Sequence, residues 1–315
     1  MSNSERTLVM GILNVTPDSF ADGGRHFDFD AAISRARQMI EEGTDIIDIG
    51  GESTRPGAAR VSLEEERDRV IPVITELQPL GVTLSVDTTR SEIARAAIAA
   101  GASIVNDVSG GLADPDMAKL ISKNPSVQYI AMHWRGHSDE MQKQAIYKDV
   151  VKEVKDELDE RASALINEGV SPEQIILDPG IGFAKTSEHN WEILRNLDRF
   201  QLLGYPLLVG VSRKRFLGDL VDAPNPDERE SATIALTSQL AKQGIWGVRT
   251  HSVKPHVDAI KVVMELGARV IELRFMLFQR MDSTVSIRKN VKTGNAFLWI
   301  FHLLLSLKKQ ERVTL

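Results

Sequence analysis

Eight short apolar runs, each followed by helical periodicity, predict an α/β protein: a (β/α)8 TIM barrel with an extra C-terminal tail. The strand–helix alternation is strict from Thr7 to Leu266, a span suited to one closed barrel. The rival, an open doubly wound sheet, usually carries a glycine-rich phosphate turn after its first strand, and NVTPDSFADGG lacks that form.

The predicted strands are Thr7–Asn14, Ile46–Gly50, Thr83–Asp87, Ile104–Val108, Gln128–His133, Ile175–Gly180, Leu207–Ser212 and Trp246–His251. They are short and rich in β-branched residues, and polar or glycine-rich loops bound them. The helices predicted between and after them are Phe29–Gly43, Leu63–Leu77, Ser91–Ala100, Pro115–Lys123, Val150–Asn167, Trp191–Leu203, Glu228–Gln243 and Lys254–Leu266. Gly43, Gly101 and Gly244 read as helix stops, and Glu64–Glu66 suit the start of a helix dipole.

Of the 315 residues 42% are hydrophobic and 26% charged, the profile of a soluble globular protein. A net charge of −6 argues against a broad nucleic-acid surface. With no cysteine, disulfides, thiolate metal sites and a cysteine nucleophile are excluded. The start MSNSERTLVMGIL has no signal-peptide pattern, so a cytoplasmic protein is expected. One segment departs from this composition. Ala296–Leu307, AFLWIFHLLLSL, is nearly all apolar, yet shorter than the ~20 residues that span a bilayer. It reads as a docked helix, a membrane-surface contact or a partner contact.

The predicted strand ends share a feature. Asn14, Asp48, Asp87, Asn106, Asp178, Lys214, Arg249 and His251 each lie in or just after an apolar run. In a barrel these ends open on one face, the face of the active site. Asp48, Asp87, Asn106 and Asp178 are mostly acceptors, suited to a flat heterocycle with several ring N–H groups. Lys214, Arg249 and His251, with Arg55, are cationic donors suited to phosphate oxygens. Asn14 with Asp18 and Asp22 offers hard oxygens for Mg2+. A substrate with a nitrogen heterocycle at one end and a phosphate ester at the other fits both halves. No Ser-His-Asp order, His-x-x-x-His pair or Walker loop is present. His133, His137 and His189 are not grouped at metal-ligand spacing and read as hydrogen-bonded or solvated.

Seven segments carry a resemblance: Asn14–Phe20 (NVTPDSF), Asp48–Gly57 (DIGGESTRPG), Ser85–Thr88 (SVDT), Asn106–Ser109 (NDVS), Asp178–Phe183 (DPGIGF), Ser212–Phe216 (SRKRF) and Arg249–Val253 (RTHSV). Together, and in this order, they resemble the dihydropteroate synthase family. The resemblance implies a pterin-binding (β/α)8 barrel over residues 1–274, with 275–315 as an appended tail of unknown role. It implies a transferase of folate biosynthesis that joins 6-hydroxymethyl-7,8-dihydropterin diphosphate to 4-aminobenzoate, giving 7,8-dihydropteroate and diphosphate. Sulfonamides, which mimic 4-aminobenzoate, are the family's inhibitors.

By position, Asp87, Asn106 and Asp178 would hold the pterin, with Lys214 at its carbonyl side and Asp48 as support. Arg249 and His251 would take the diphosphate, and Asn14 its Mg2+. Thr54 and Arg55 would belong to one mobile loop, Phe20 and Asp22 to another. Phe183, Lys214 and Ser212 would line the aminobenzoate pocket. Lys214, Arg249, His251, Asp22 and Arg55 are the catalytic candidates. A homodimer is the family's usual assembly.

Two features depart from the family. Ala184 stands where many members have glycine before Lys185. The tail Phe275–Leu315 matches nothing in the family, and reads as an interaction element or a changed reading frame. Two rivals remain open: a methyltetrahydrofolate-using methyltransferase, which would not need the STRPG loop or the basic phosphate groups, and a non-catalytic relative.

Overall fold

The computed structural model describes residues 6–16, 25–52, 60–136 and 141–267, without the side chains of 25–28. By internal contacts the chain divides into Met1–Ile260, which contains all eight strands, and Lys261–Leu315, of which residues 261–267 are described and helical. The predicted tail 275–315 lies outside the described residues.

The strands are β1 (Leu8–Asn14), β2 (Ile46–Gly50), β3 (Thr83–Asp87), β4 (Ile104–Asp107), β5 (Gln128–Met132), β6 (Ile175–Asp178), β7 (Leu208–Val209) and β8 (Gly247–Thr250). All neighbours pair in parallel, in the order β6-β5-β4-β3-β2-β1-β8-β7. A single parallel bridge, Leu177 to Leu207, joins the two ends, with the Leu177 N–H donating to Pro206 O at 2.9 Å. The sheet is thus a barrel with one thin seam.

The helices are α1 (Arg25–Glu42), α2 (Leu63–Leu77), α3 (Ser91–Ala100), α4 (Met117–Ser122), α5 (Val150–Asn167), α6 (Ser187–Arg195), α7 (Leu197–Gln201), α8 (Arg215–Val221) and α9 (Glu230–Lys242), followed by helical residues 254–267. Local chemistry sets their starts. Ser62 accepts from Glu65 N–H at 3.1 Å and Asp149 from Lys152 N–H at 3.0 Å, each capping a first turn. At α6, Thr186 and His189 cap reciprocally, which fixes the chain directly after Lys185.

Three departures from the sequence reading bear on the site. The stretch read as one helix, Trp191–Leu203, is α6 and α7, broken at Asn196 (φ −123°, ψ 29°). The seventh strand shrinks from Leu207–Ser212 to Leu208–Val209, with Leu207 kept as an isolated bridge, and Arg213 then turns left-handed (φ 57°) ahead of α8. That helix had no counterpart in the sequence reading.

Strand parity positions the site. Side chains on a strand alternate between faces. Met10, Ile46, Ile104, Ile130, Ile176 and Leu208 pack together as a small cluster separate from the main core. Two residues further along β2, β4 and β6, on the same face, stand Asp48, Asn106 and Asp178. The barrel interior therefore has an apolar floor with a polar layer above it. Residues of the opposite parity, such as Ile47, Ile49, Val86 and Val105, join the larger core with the helices.

Candidate active site

The polar layer is a connected network. Asp48 is fully buried and accepts from Ser85 Oγ at 2.7 Å, Asn106 Nδ2 at 2.9 Å and Arg249 Nε at 2.6 Å. Arg249 also donates from Nη2 to Asp87 Oδ2 at 2.7 Å. One guanidinium thus bridges acids on β2 and β3, from a strand paired to the far side of β1. A buried carboxylate needs such partners. Burial pushes the Asp87 carboxyl up to about 7 despite Arg249 beside it, and Asp48 adds to that rise. Burial acts against the Arg249 charge too, but Asp48 and Asp87 outweigh it and the pKa rises. The second Asp87 oxygen has no protein partner among the described residues, so it remains available to a donor from outside.

Asp178, at the end of β6, accepts from the Gly180 N–H at 2.7 Å. Burial raises its pKa, and Lys214 is the main group working against that rise. Lys214 donates to Ile181 O, and its Nζ lies 4.7 Å from the Phe183 ring centroid, a cation–π contact. Burial lowers its pKa to about 8, so the ammonium is still charged at neutral pH. Gly182 must be glycine: its φ is +82°, and an added Cβ would sit 2.9 Å from Lys214 Cδ.

Ser212 is turned towards His251. Its Oγ lies 2.9 Å from His251 Nδ1 and accepts from the His251 N–H at 3.2 Å. Asn14, at the end of β1, faces the mouth beside Asp87: a Cβ placed on Gly50 would lie 3.7 Å from both Asn14 Oδ1 and Asp87 Oδ2. Asp48, Asp87, Asn106, Asp178, Phe183, Ser212, Lys214, Arg249, His251 and Asn14 thus all belong to one end of the barrel. Phe20, Asp22, Thr54 and Arg55 lie outside the described residues.

The structure adds groups that the sequence reading passed over. Ser85 supports Asp48, and its signal was parity, since it lies two before Asp87 on one strand. Lys185, only 4% exposed, has its Nζ 3.0 Å from His133 Nδ1 and donates to Phe183 O at 3.1 Å. With the ammonium donating to Nδ1, the imidazole proton sits on Nε2, 2.9 Å from Glu157 Oε2. Burial lowers Lys185 to about 7, and burial with the Lys185 charge lowers His133 to about 4. His133 is thus a neutral, hydrogen-bonded core histidine.

An eight-stranded parallel barrel whose buried acceptors and cations gather at its carboxyl-end mouth has the form of a barrel enzyme. The chain belongs to the pterin-binding enzyme family, whose model matches residues 10–251. It is 48% identical over 275 residues to a dihydropteroate synthase of Mycobacterium leprae (strain TN), an alignment covering 84% of this chain and 96% of that one. The Xanthomonas albilineans dihydropteroate synthase solved with 4-aminobenzoic acid superposes with a TM-score of 0.79 at 42% identity, covering 84% of this chain and 94% of that one. The same enzyme in complex with 7,8-dihydropteroate gives a TM-score of 0.77 at 38% identity, covering 85% and 96%. These similarities set the chain among the dihydropteroate synthases, transferases of folate biosynthesis.

Proposed function

We propose that this chain joins 6-hydroxymethyl-7,8-dihydropterin diphosphate to 4-aminobenzoate, forming 7,8-dihydropteroate and diphosphate. One observation carries the reading: buried acceptors of β2, β3, β4 and β6 gather with Lys214, from the loop after β7, and Arg249 of β8 in a single mouth. Asp87, Asn106 and Asp178 hold the pterin, Lys214 meets its carbonyl side, and Asp48 fixes Asn106 and Arg249 from below. Arg249 and His251 take the diphosphate. Phe183, Lys214 and Ser212 line the aminobenzoate pocket, and Ser212 also bonds His251. Thr54, Arg55, Phe20 and Asp22 complete the site from the two loops.

In the reaction the amine nitrogen forms a C–N bond to the pterin methylene as the C–O bond to diphosphate breaks. Diphosphate leaves with that electron pair, and the nitrogen releases one proton. The arylamine is already neutral at pH 7, so positioning matters more than deprotonation. Charge builds on the leaving group, where Arg249, His251 and the Lys214 ammonium lie to stabilise it. Mg2+ suits the same place. Asn14, at the end of β1, presents a hard amide oxygen there, and this ion takes few protein ligands beside substrate phosphate. Among the described residues no group of three or more carboxylates and histidines forms a metal cluster, and such a site needs none. When bound, the ion supplies charge neutralisation of the diphosphate.

The family's homodimer and a cytoplasmic setting complete the proposal. No helix among the described residues is long and apolar enough to cross a membrane.

The test is diphosphate release from the pterin diphosphate, with and without 4-aminobenzoate and Mg2+. Release is expected to require both additions. Arg249→Ala should raise KM for the diphosphate ester, and Asp178→Ala should weaken pterin binding. Release that ignores 4-aminobenzoate, or near-normal turnover of both variants at limiting substrate, overturns the proposal.

A further inference from the structure

Arg213 sits between two site residues, Ser212 and Lys214, in a left-handed conformation with φ 57°. That geometry costs an L-residue about 1–2 kcal/mol and persists only where its surroundings hold it. Here the grip comes from one segment. The Arg213 N–H donates to Thr233 Oγ1 at 3.2 Å, and its carbonyl accepts from Arg229 Nη1 at 3.0 Å. Its guanidinium pairs with Asp227 and donates from Nε to Glu230 Oε2 at 3.0 Å.

Glu230 reaches the next loop as well. Its Oε1 accepts from Ser252 Oγ, directly after His251, and lies 3.0 Å from His256 Nε2. His256 is fully buried, and Thr237 meets its Nδ1 at 2.8 Å. One carboxylate at the start of α9 thus ties the loop carrying Lys214 to the loop carrying His251. On the site side the same two loops are tied again, by Ser212 and His251. Burial works against the Glu230 charge. Hydrogen bonds from His256, Ser252 and Arg213 more than offset this and leave its pKa at about 2, so it is a carboxylate throughout the working range.

We propose that Glu230 is a positioning residue: by gripping Arg213 and Ser252 it sets the spacing between Lys214 and His251, and so the fit of the site to diphosphate. This rests on the reading of His251 as a diphosphate ligand and of the Lys214 ammonium as a charge beside the leaving group. Glu230 touches no substrate. Without it, Arg213 keeps its bonds to Thr233, Arg229 and Asp227 but loses its tie to the Ser252 loop, which loosens Lys214 and Ser212 relative to His251. Small displacements of charged groups around a phosphate cost rate and affinity steeply.

The experiment compares Glu230→Ala, Glu230→Asp and Ser252→Ala with wild type. It reads KM for both substrates, binding of phosphate-free 6-hydroxymethylpterin, and inhibition by inorganic diphosphate with Mg2+. In Glu230→Ala, KM for the pterin diphosphate and the inhibition constant of diphosphate are expected to rise together by about tenfold. KM for 4-aminobenzoate and binding of the phosphate-free pterin, which depend on Lys214 but not on its spacing from His251, should shift by a clearly smaller factor. Glu230→Asp should recover part of the loss. Ser252→Ala, which removes one arm and leaves Arg213 paired, should shift the same two constants less, and it decides the matter if Glu230→Ala does not fold.

His251→Ala is the control for the underlying reading. If it weakens diphosphate inhibition while the Glu230 and Ser252 variants do not, the positioning role is overturned alone. If it has no effect, the diphosphate reading falls and this inference with it. An equal loss for every ligand in Glu230→Ala also overturns the proposal, since that is the signature of general destabilisation.

Discussion

At the scale of single residues, the departure at Ala184 gains a physical meaning. Its φ is +47°, a region where an L-residue is strained and glycine is not. Ala184→Gly should therefore stabilise the protein, by about 0.5–1 kcal/mol once the extra entropy of an unfolded glycine is subtracted. A higher urea midpoint with an unchanged slope is the expected result. The Ala184 carbonyl accepts from Tyr147 Oη at 3.0 Å, a bond the substitution keeps, so turnover should change little. The sequence showed an unusual residue in this loop but not its backbone angle, because nothing local distinguishes a left-handed alanine. The same limit hid Arg213. Site residues inside strands were easier to read: an aspartate within IIDIG has few explanations other than a partner or a ligand. What that run could not reveal is that the partner of Asp48 is Arg249, 201 residues away.

At the scale of elements, the link between β5, α5 and the loop after β6 makes stability depend on pH. His133 ends its run at about 4, below the ordinary histidine value of 6.5. Between those values the unfolded chain holds a proton that the folded one refuses. Stability therefore falls as pH drops from 6.5 towards 4, by at most about 1.4 kcal/mol per unit. Glu157, held at about 2 by His133 and Arg135 against the cost of burial, extends the loss below pH 4.5. Lys185, lowered to about 7 by burial, works in the same direction between 7 and 10.5, where its contribution rises with pH. Urea midpoints at pH 6.5 and 5 should fall in wild type and fall less in His133→Gln. An equal fall in both would remove His133 as the cause. The sequence marked His133 as hydrogen-bonded or solvated but gave no sign of its partners, because Lys185 stands in a polar loop and Glu157 on a distant helix. The helices read well where periodicity and caps agreed, as in α2 and α5. They read poorly at α8, where a cationic stretch gives no start signal, and at Asn196, where two short helices meet.

At the scale of the whole molecule, strict strand–helix alternation was enough to predict a closed barrel, and parity then explains why its polar residues share one interior. An insertion of one residue between Ile104 and Asn106 would turn the amide out of that interior. The seam between β6 and β7 has a further consequence. Asp178 closes one side of it, Lys214 follows the other side, and the backbone between them is joined by the single bridge from Leu177 to Leu207. A transient parting of these two strands separates the acid from the ammonium before it disturbs the other strand pairs. In the proposed binding mode a pterin held by both residues acts as the missing rung of the ladder, and its binding energy opposes opening there first. In native-state hydrogen exchange, the Leu177 amide should exchange faster than the amides of β2 in the free protein, and should gain more protection than they do when the pterin binds. Uniform protection across all eight strands would show that the ring opens as one piece.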